Sequence, residues 1–140
     1  MQNGQKIRIL VIDDDINFRD MLRIHLSQAG YAVQVAEDAI EGGKALLAKP
    51  PNLVISDLNM PYLDGFELLA LLQAEKETAS IPVILLSGRS DGDTMARAVD
   101  LGAADFLTKP VTHQQLIDSV AACLSRGGRT AAATSPINQT

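Results

Sequence analysis

Four groups of residues carry chemistry at positions a folded chain can bring together: Asp13-Asp14-Asp15, Asp57 with Asn59, Ser87, and Lys109 followed by Pro110. Carboxylates gathered at one place repel one another, which costs free energy unless a cation compensates. Magnesium suits such an all-oxygen donor set, because it takes an octahedron of hard ligands, keeps some of its waters and often shares its shell with a phosphoryl oxygen. Lys109 supplies a mobile point charge that can pair with a carboxylate and then with a phosphoryl group. The bond to Pro110 is a candidate cis peptide in a tight turn after a strand, which would aim that lysine inward.

Each group also has a plainer reading. The aspartate triplet alone reads as a helix N-cap with extra negative charge at the positive end of the helix dipole. Asp64-Gly65 reads mainly as turn and cap chemistry, and Lys109 taken singly as a solvated surface lysine. Ser87 can donate its hydroxyl to a phosphoryl oxygen or simply end its strand with a local backbone bond; on the residue alone both readings stand. What shifts the balance is the run Asp57-Leu58-Asn59-Met60-Pro61-Tyr62-Leu63-Asp64-Gly65, a loop that sets one carboxylate at a strand end and then turns sharply into a helix.

The elements that must position these groups follow from apolar spacing. Short runs at Ile7 to Ile12, Val33 to Ala36, Leu53 to Ser56, Val83 to Leu86 and Asp105 to Leu107 predict five strands. Between and after them, Phe18, Met21, Leu22 and Leu26, then Ala39 through Leu47, then Phe66, Leu68, Leu69 and Leu72, then Met95 and Val99, then Leu116, Ile117, Val120 and Leu124 repeat at helical spacing. Gly30, Pro50-Pro51, Ile81-Pro82 and Gly102 punctuate the boundaries, and Thr112 is placed to cap the last helix. Regular alternation with mostly continuous apolar strands predicts an α/β fold, a parallel sheet covered by helices on both faces. Such sheets bind ligands beyond the carboxyl ends of their strands, where the strand order reverses. Every chemical group named above follows or ends a strand, so all should meet on that one rim.

Composition bounds the rest. A chain of 140 residues, 46% of them hydrophobic, fits one domain with a single sizeable core. A net charge of -5 without a lysine and arginine cluster argues against a sequence-independent grip on nucleic acid or on an anionic membrane. The polar start from Met1 to Lys6 and the lack of any span-length apolar stretch leave secretion and membrane insertion unsupported. Cys123 is the only cysteine, so no intramolecular disulfide can form; it reads as a small buried hydrophobe, and a reducing cytoplasm is the expected setting. His25 and His113 read as ordinary helix residues. Gly127 to Thr140 lacks an apolar period and is expected to be a flexible tail or the start of an interdomain linker.

The acidic pair after strand one, Asp57 in Asp-x-x-Met-Pro-x-x-Asp-Gly, Ser87-Gly88 and Lys109-Pro110, in that order and each at its strand end, resemble the receiver domain of two-component response regulators from about Lys6 to Arg126. The resemblance implies a doubly wound sheet of order 2-1-3-4-5 with five helices, as in CheY-like proteins. It implies that Asp57 accepts a phosphoryl group from a histidine kinase, a histidine phosphotransfer protein or a small phosphodonor. Asp13, Asp14, the Asp57 carboxylate and the backbone carbonyl of Asn59 would hold Mg2+, while Asp15 belongs to the helix start. Lys109 would pair with one phosphoryl oxygen and Ser87 with another, and the movement of Ser87 would let Phe106 turn inward, reshaping the face of the fourth helix, fifth strand and fifth helix. Asn59 and Arg89 would govern how water reaches the acyl phosphate. The implied protein is a switch rather than an enzyme with a separate substrate. It would signal to a downstream protein target or a missing output domain, with a phosphorylation-linked dimer as one route and no nucleic acid contact by this segment.

Three positions vary from the family pattern: Ser87 where threonine is commoner, Gly88 where alanine is common, and Phe106 without a tyrosine hydroxyl. Serine keeps the hydroxyl and loses the methyl, so the chemistry is expected to survive with looser coupling. A haloacid-dehalogenase-type phosphotransferase would instead use Asp13 as nucleophile with Asp15 as acid/base, but it leaves the Asp57 loop unexplained and meets Asn17 where Thr or Val is expected. A flavodoxin-like cofactor site would need a phosphate-cradling loop where the three aspartates stand.

Overall fold

The computed structural model describes residues 6–89 and 91–126. Strands and helices alternate as β1 (Arg8–Ile12), α1 (Ile16–Gln28), β2 (Ala32–Ala36), α2 (Ala39–Ala48), β3 (Leu53–Asp57), α3 (Gly65–Ala74), β4 (Val83–Ser87), α4 (Gly92–Asp100), β5 (Asp105–Thr108) and α5 (His113–Ser125). All strand pairs are parallel and the order is β2-β1-β3-β4-β5, as the resemblance implies. The tail from 127 to 140 lies outside the described residues.

Alternate side chains of the central strands feed two cores. Leu10, Ile12, Val54 and Leu85 point to the face covered by α2, α3 and α4, where they meet Leu46, Phe66, Leu69 and Ala98. Ile9, Val11, Leu53, Ile55, Ile84 and Leu86 point to the other face and meet Leu22 and Leu26 of α1 with Leu116, Val120 and Cys123 of α5. Complete burial of a Leu or Ile contributes about 1.5–3 kcal/mol, and β3 and β4, buried along their whole length, fix the centre of the sheet. The edge strands β2 and β5 are only partly covered, which explains their weaker apolar signal.

Each helix starts on a side chain that satisfies its free amides: Asp15, Asp38, Asp64, Asp91 and Thr112 are the N-caps. Asp64 with Glu67, and Thr112 with Gln115, close reciprocal capping boxes. Gly30 and Gly102, at φ 102° and 88°, take the left-handed conformation just after α1 and α4. The strands differ from the sequence expectation by single residues: β1 begins at Arg8, β2 at Ala32, and β3, β4 and β5 run on through Asp57, Ser87 and Thr108. Ladder pairing accounts for the extensions, because Asp57 stands opposite Leu86 and Ser87 opposite Thr108, a cross-strand contact that local apolar spacing does not report.

Gly65 departs from its expected role. Asp64 does cap α3, but Gly65 has no positive φ; a Cβ there would lie 2.9 Å from the carbonyl oxygen of Asp57 and 2.9 Å from the Cα of Leu58. The glycine lets the first turn of α3 lie directly on the end of β3. Gly65→Ala is expected to cost about 1–3 kcal/mol in urea denaturation, since the obstructing atoms are backbone and cannot rotate aside.

Cys123 is buried, and burial followed by the charge of Asp105 raises its thiol pKa to about 11. The unfolded thiol ionises first, so the unfolded chain holds fewer protons between pH 9 and 11 and stability falls across that window. Compared with Cys123→Ala, the wild type should lose about 2–3 kcal/mol more between those pH values, measured by urea midpoints.

Candidate functional site

The chain steps from β1 out to β2 on one side and then crosses back over β1 to β3 on the other, so the strand order reverses there and a crevice opens at the carboxyl ends of β1 and β3. Asp13 lies one residue beyond β1, its amide donating to the carbonyl of Ala36 on β2 (3.1 Å), and its side chain is fully buried. Asp57 is the last residue of β3 and is almost as deeply covered. Asp14 is exposed at the lip. Carboxylate oxygens of Asp13, Asp14 and Asp57 all lie within 4.8 Å of one another.

Lys109 reaches this cluster from the end of β5. Its Nζ donates to Asp13 Oδ2 at 3.1 Å and lies 3.4 Å from Asp57 Oδ1. The Phe18 ring of α1 supports the same ammonium, with its centroid 4.4 Å away, a cation–π contact of about 0.5–1 kcal/mol. The Lys109-Pro110 bond is cis, as the sequence suggested. The lysine is therefore not a solvated one.

The remaining contacts hold backbone in place. Asp13 Oδ1 accepts from the amide of Asp15 (2.9 Å), while Asp15 accepts from the amides of Asn17 and Phe18 as the α1 cap, the role the sequence assigned it. Arg19 donates from Nη1 to the carbonyl of Asp13 at 2.8 Å. The amide of Asn59 reaches Asp57 Oδ1 at 3.5 Å, and its side chain is exposed. Ser87 is fully buried and its Oγ accepts from the amide of Arg89 at 2.9 Å, so in this state it makes the local backbone bond that the sequence left open. The Arg89 guanidinium is exposed and pairs with Asp91 at 3.2 Å. Phe106 is half-buried against the α2–α3–α4 core and lines a shallow groove with Met95, Val99 and Ala103.

Phe18 and Arg19 escaped the sequence reading as site residues. Phe18 fitted the core period of α1, and Arg19 was one of many surface charges. Their signal lies in position: both fall in the first turn after the acidic triplet, on the stretch of helix nearest the rim.

The electrostatics show which charge is in excess. Burial is the main influence on Asp57 and the Asp13 carboxylate the next; they outweigh Lys109 and the Asn59 amide, so the Asp57 pKa is raised. Burial disfavours the Lys109 ammonium, but its hydrogen bond and charge contacts with Asp13, and then Asp57, hold its pKa above the ordinary lysine value. One lysine thus faces three carboxylates. The donor set is all oxygen and carries surplus negative charge, which fits a hard divalent cation such as Mg2+ held by Asp13, Asp14 and Asp57.

The response regulator receiver domain family matches residues 9–121, and the chain belongs to it. It is 38% identical over 122 residues to the DNA-binding dual master transcriptional regulator RpaA of Synechocystis, covering 87% of this chain and 51% of that protein. It is 31% identical over 120 residues to the phosphate regulon transcriptional regulatory protein PhoB of Pseudomonas aeruginosa, covering 86% and 52%. The chain therefore spans about half the length of these curated relatives. Among solved structures, a response regulator receiver domain protein from Clostridium thermocellum superposes with a TM-score of 0.78 at 32% identity, covering 86% of this chain and 95% of that one. The chemotaxis protein CheY4 of Vibrio cholerae superposes with a TM-score of 0.80 at 26% identity, covering 84% and 98%. This is a receiver domain of two-component response regulators, a signalling switch rather than a conventional enzyme. Among the described residues no helix is long and apolar enough to cross a membrane.

Two substitutions should move stability in opposite directions. In magnesium-free buffer at neutral pH, Asp57→Asn is expected to raise the urea midpoint, because it removes a carboxylate whose charged form is disfavoured. The folded pKa lies above the unfolded one, so this gain is full above the folded value and vanishes as pH falls below the unfolded value. Lys109→Ala leaves the buried Asp13 without its partner and should cost about 2 kcal/mol.

Proposed function

We propose that Asp57 is the phosphoacceptor of this domain and that its modification switches the surface built from α4, β5 and α5. The observation that carries this reading is a buried carboxylate at the end of β3 facing the Lys109 ammonium at 3.4 Å inside a three-carboxylate cluster. In transfer, an Asp57 carboxylate oxygen attacks the phosphorus of a phosphohistidine on a kinase or phosphotransfer protein. The new O–P bond forms as the P–N bond breaks, and the imidazole leaves as the neutral base once it holds a proton. A small acyl phosphate serves equally as donor, with its carboxylate leaving.

Magnesium, held by Asp13, Asp14, Asp57 and the carbonyl of Asn59, supplies neutralisation of the phosphoryl oxygens when bound. The chain's own residues do the rest. Lys109 exchanges its Asp57 contact for a phosphoryl oxygen while keeping Asp13. Ser87 turns its hydroxyl from the Arg89 amide to another phosphoryl oxygen, and Phe106 moves into the space behind it. New contacts available only in the phosphorylated state bias a two-state equilibrium. Asn59 and Arg89 flank the acceptor and set how water reaches the acyl phosphate, so self-catalysed dephosphorylation is the only turnover.

Residues 6–126 form the receiver. It works in the cytoplasm, alone on a downstream protein or joined to an output domain; the DNA-binding relative RpaA, of which the matched region covers 51%, supports the second arrangement. Phosphorylation-linked dimerisation through the switch face is one means of output, and this segment itself makes no nucleic acid contact.

Incubation with acetyl phosphate, with and without magnesium, followed by intact mass measurement, tests the core of this reading. One phosphoryl group should be gained by the wild type only with magnesium, and none by Asp57→Asn. Labelling of Asp57→Asn together with its loss in Asp13→Asn would transfer the nucleophile to Asp13, and no labelling of any form would overturn the phosphoacceptor reading.

A further inference from the structure

The two histidines of this chain, 88 positions apart, meet at the surface. His25 lies in the last turn of α1 and His113 is the first residue of α5. Both helices pack on the same sheet face through Leu22, Leu26, Leu116 and Val120. Their rings lie 4.5 Å apart between centroids at 47°, and the two Nδ1 atoms are 2.5 Å apart. The Nδ1–H of one ring donates to the Nδ1 of the other, so two ring nitrogens are already aimed at a common point. Neither ring contacts the acidic cluster, and the phosphoacceptor chemistry uses neither.

We propose that His25 and His113 form a bidentate site for a borderline divalent metal of the zinc, nickel and copper class, bridging α1 to the start of α5. Neutral imidazole is the preferred side-chain ligand of these ions. Zinc–nitrogen bonds of about 2.0–2.1 Å at a tetrahedral angle set two nitrogens about 3.3 Å apart, so the rings need separate by less than about 1 Å. His25 is half-buried and His113 exposed, which leaves room for that movement and for water to complete the metal's shell. On metal binding both rings offer Nδ1 and carry their proton on Nε2; the proton shared between them passes through solvent to Nε2 of the same ring, with no net release. The carboxyl end of α1 and the amino end of α5 meet there, so their opposed dipole ends largely offset. Magnesium, which demands oxygen ligands, does not compete. Because His113 follows Lys109 by four positions, the metal would clamp the loop that carries the lysine to α1.

The test is calorimetric titration of the whole chain with zinc chloride in saturating magnesium, which keeps the acidic cluster filled. Wild type and Asp57→Asn should each bind a single zinc saturably, and His25→Ala and His113→Ala should both lose that binding. Circular dichroism and magnesium-dependent labelling by acetyl phosphate confirm that the histidine variants remain folded. In proton spectra the Hε1 resonances of the two histidines should shift together at the same zinc ratio. Zinc binding that survives either histidine substitution, or the absence of saturable binding by the wild type, would overturn the proposal. Loss of binding in Asp57→Asn alone would assign the zinc to the acidic cluster and also overturn it. The outcome is independent of the phosphoacceptor reading, which the labelling experiment decides.

Discussion

The ammonium of Lys109 between Asp13 and Asp57 is the contact around which the working end of this domain is arranged. Without it, buried Asp13 would face Asp57 across the β1–β3 crevice with no compensating charge. With it, the crevice still holds more negative than positive charge, so the arrangement is folded yet receptive to further cations. A fully neutralised cluster would be a structural ion pair and little else. The incomplete compensation turns a strand-end crevice into a site.

Bringing the lysine there requires the whole sheet. The strand order places β5 three positions from β1, and the common direction of all the strands brings their carboxyl ends to one rim. The two cores on either side serve that purpose: central strands buried on both faces hold the strand ends in register, and the five N-caps begin each helix where its loop leaves the rim. Site geometry and core packing are thus one problem, most visibly at Gly65, where α3 touches the backbone of the acceptor strand.

Much of this was legible in the residues. The alternation of strands and helices, the capping of α5 by Thr112 and the glycines after α1 and α4 all followed from local spacing and backbone chemistry. The convergence of Asp13, Asp14, Asp57 and Lys109 followed from placing each at a strand end. What escaped notice depends on long-range pairing. Phe18 has an ordinary core period and shows its second role only when Lys109 lies on its ring. The histidines looked like isolated helix residues, and no local pattern links positions 25 and 113. Gly65 was read as turn chemistry because Asp-Gly so often is; its true constraint, a close approach between two backbones, has no signature in a single sequence. Ser87 stood open between two readings, and in this state it makes the more local bond.

The ladder between β4 and β5 sets one more relation. Ser87 stands opposite Thr108, and the carbonyl of Ser87 accepts the amide of Lys109 at 2.7 Å. The hydroxyl and the ammonium are therefore mounted on neighbouring rungs of one rigid frame, although a complete helix separates them along the chain. α4 leaves that frame at the rim, just beyond Ser87, and is tied back at the opposite edge of the sheet, where the amide of Ala103 bonds the carbonyl of Ala98 and the amide of Ala104 that of Val83. One end of this helix is thus seated beside the crevice and the other is moored at the far edge of the sheet, the arrangement of an oar in its rowlock.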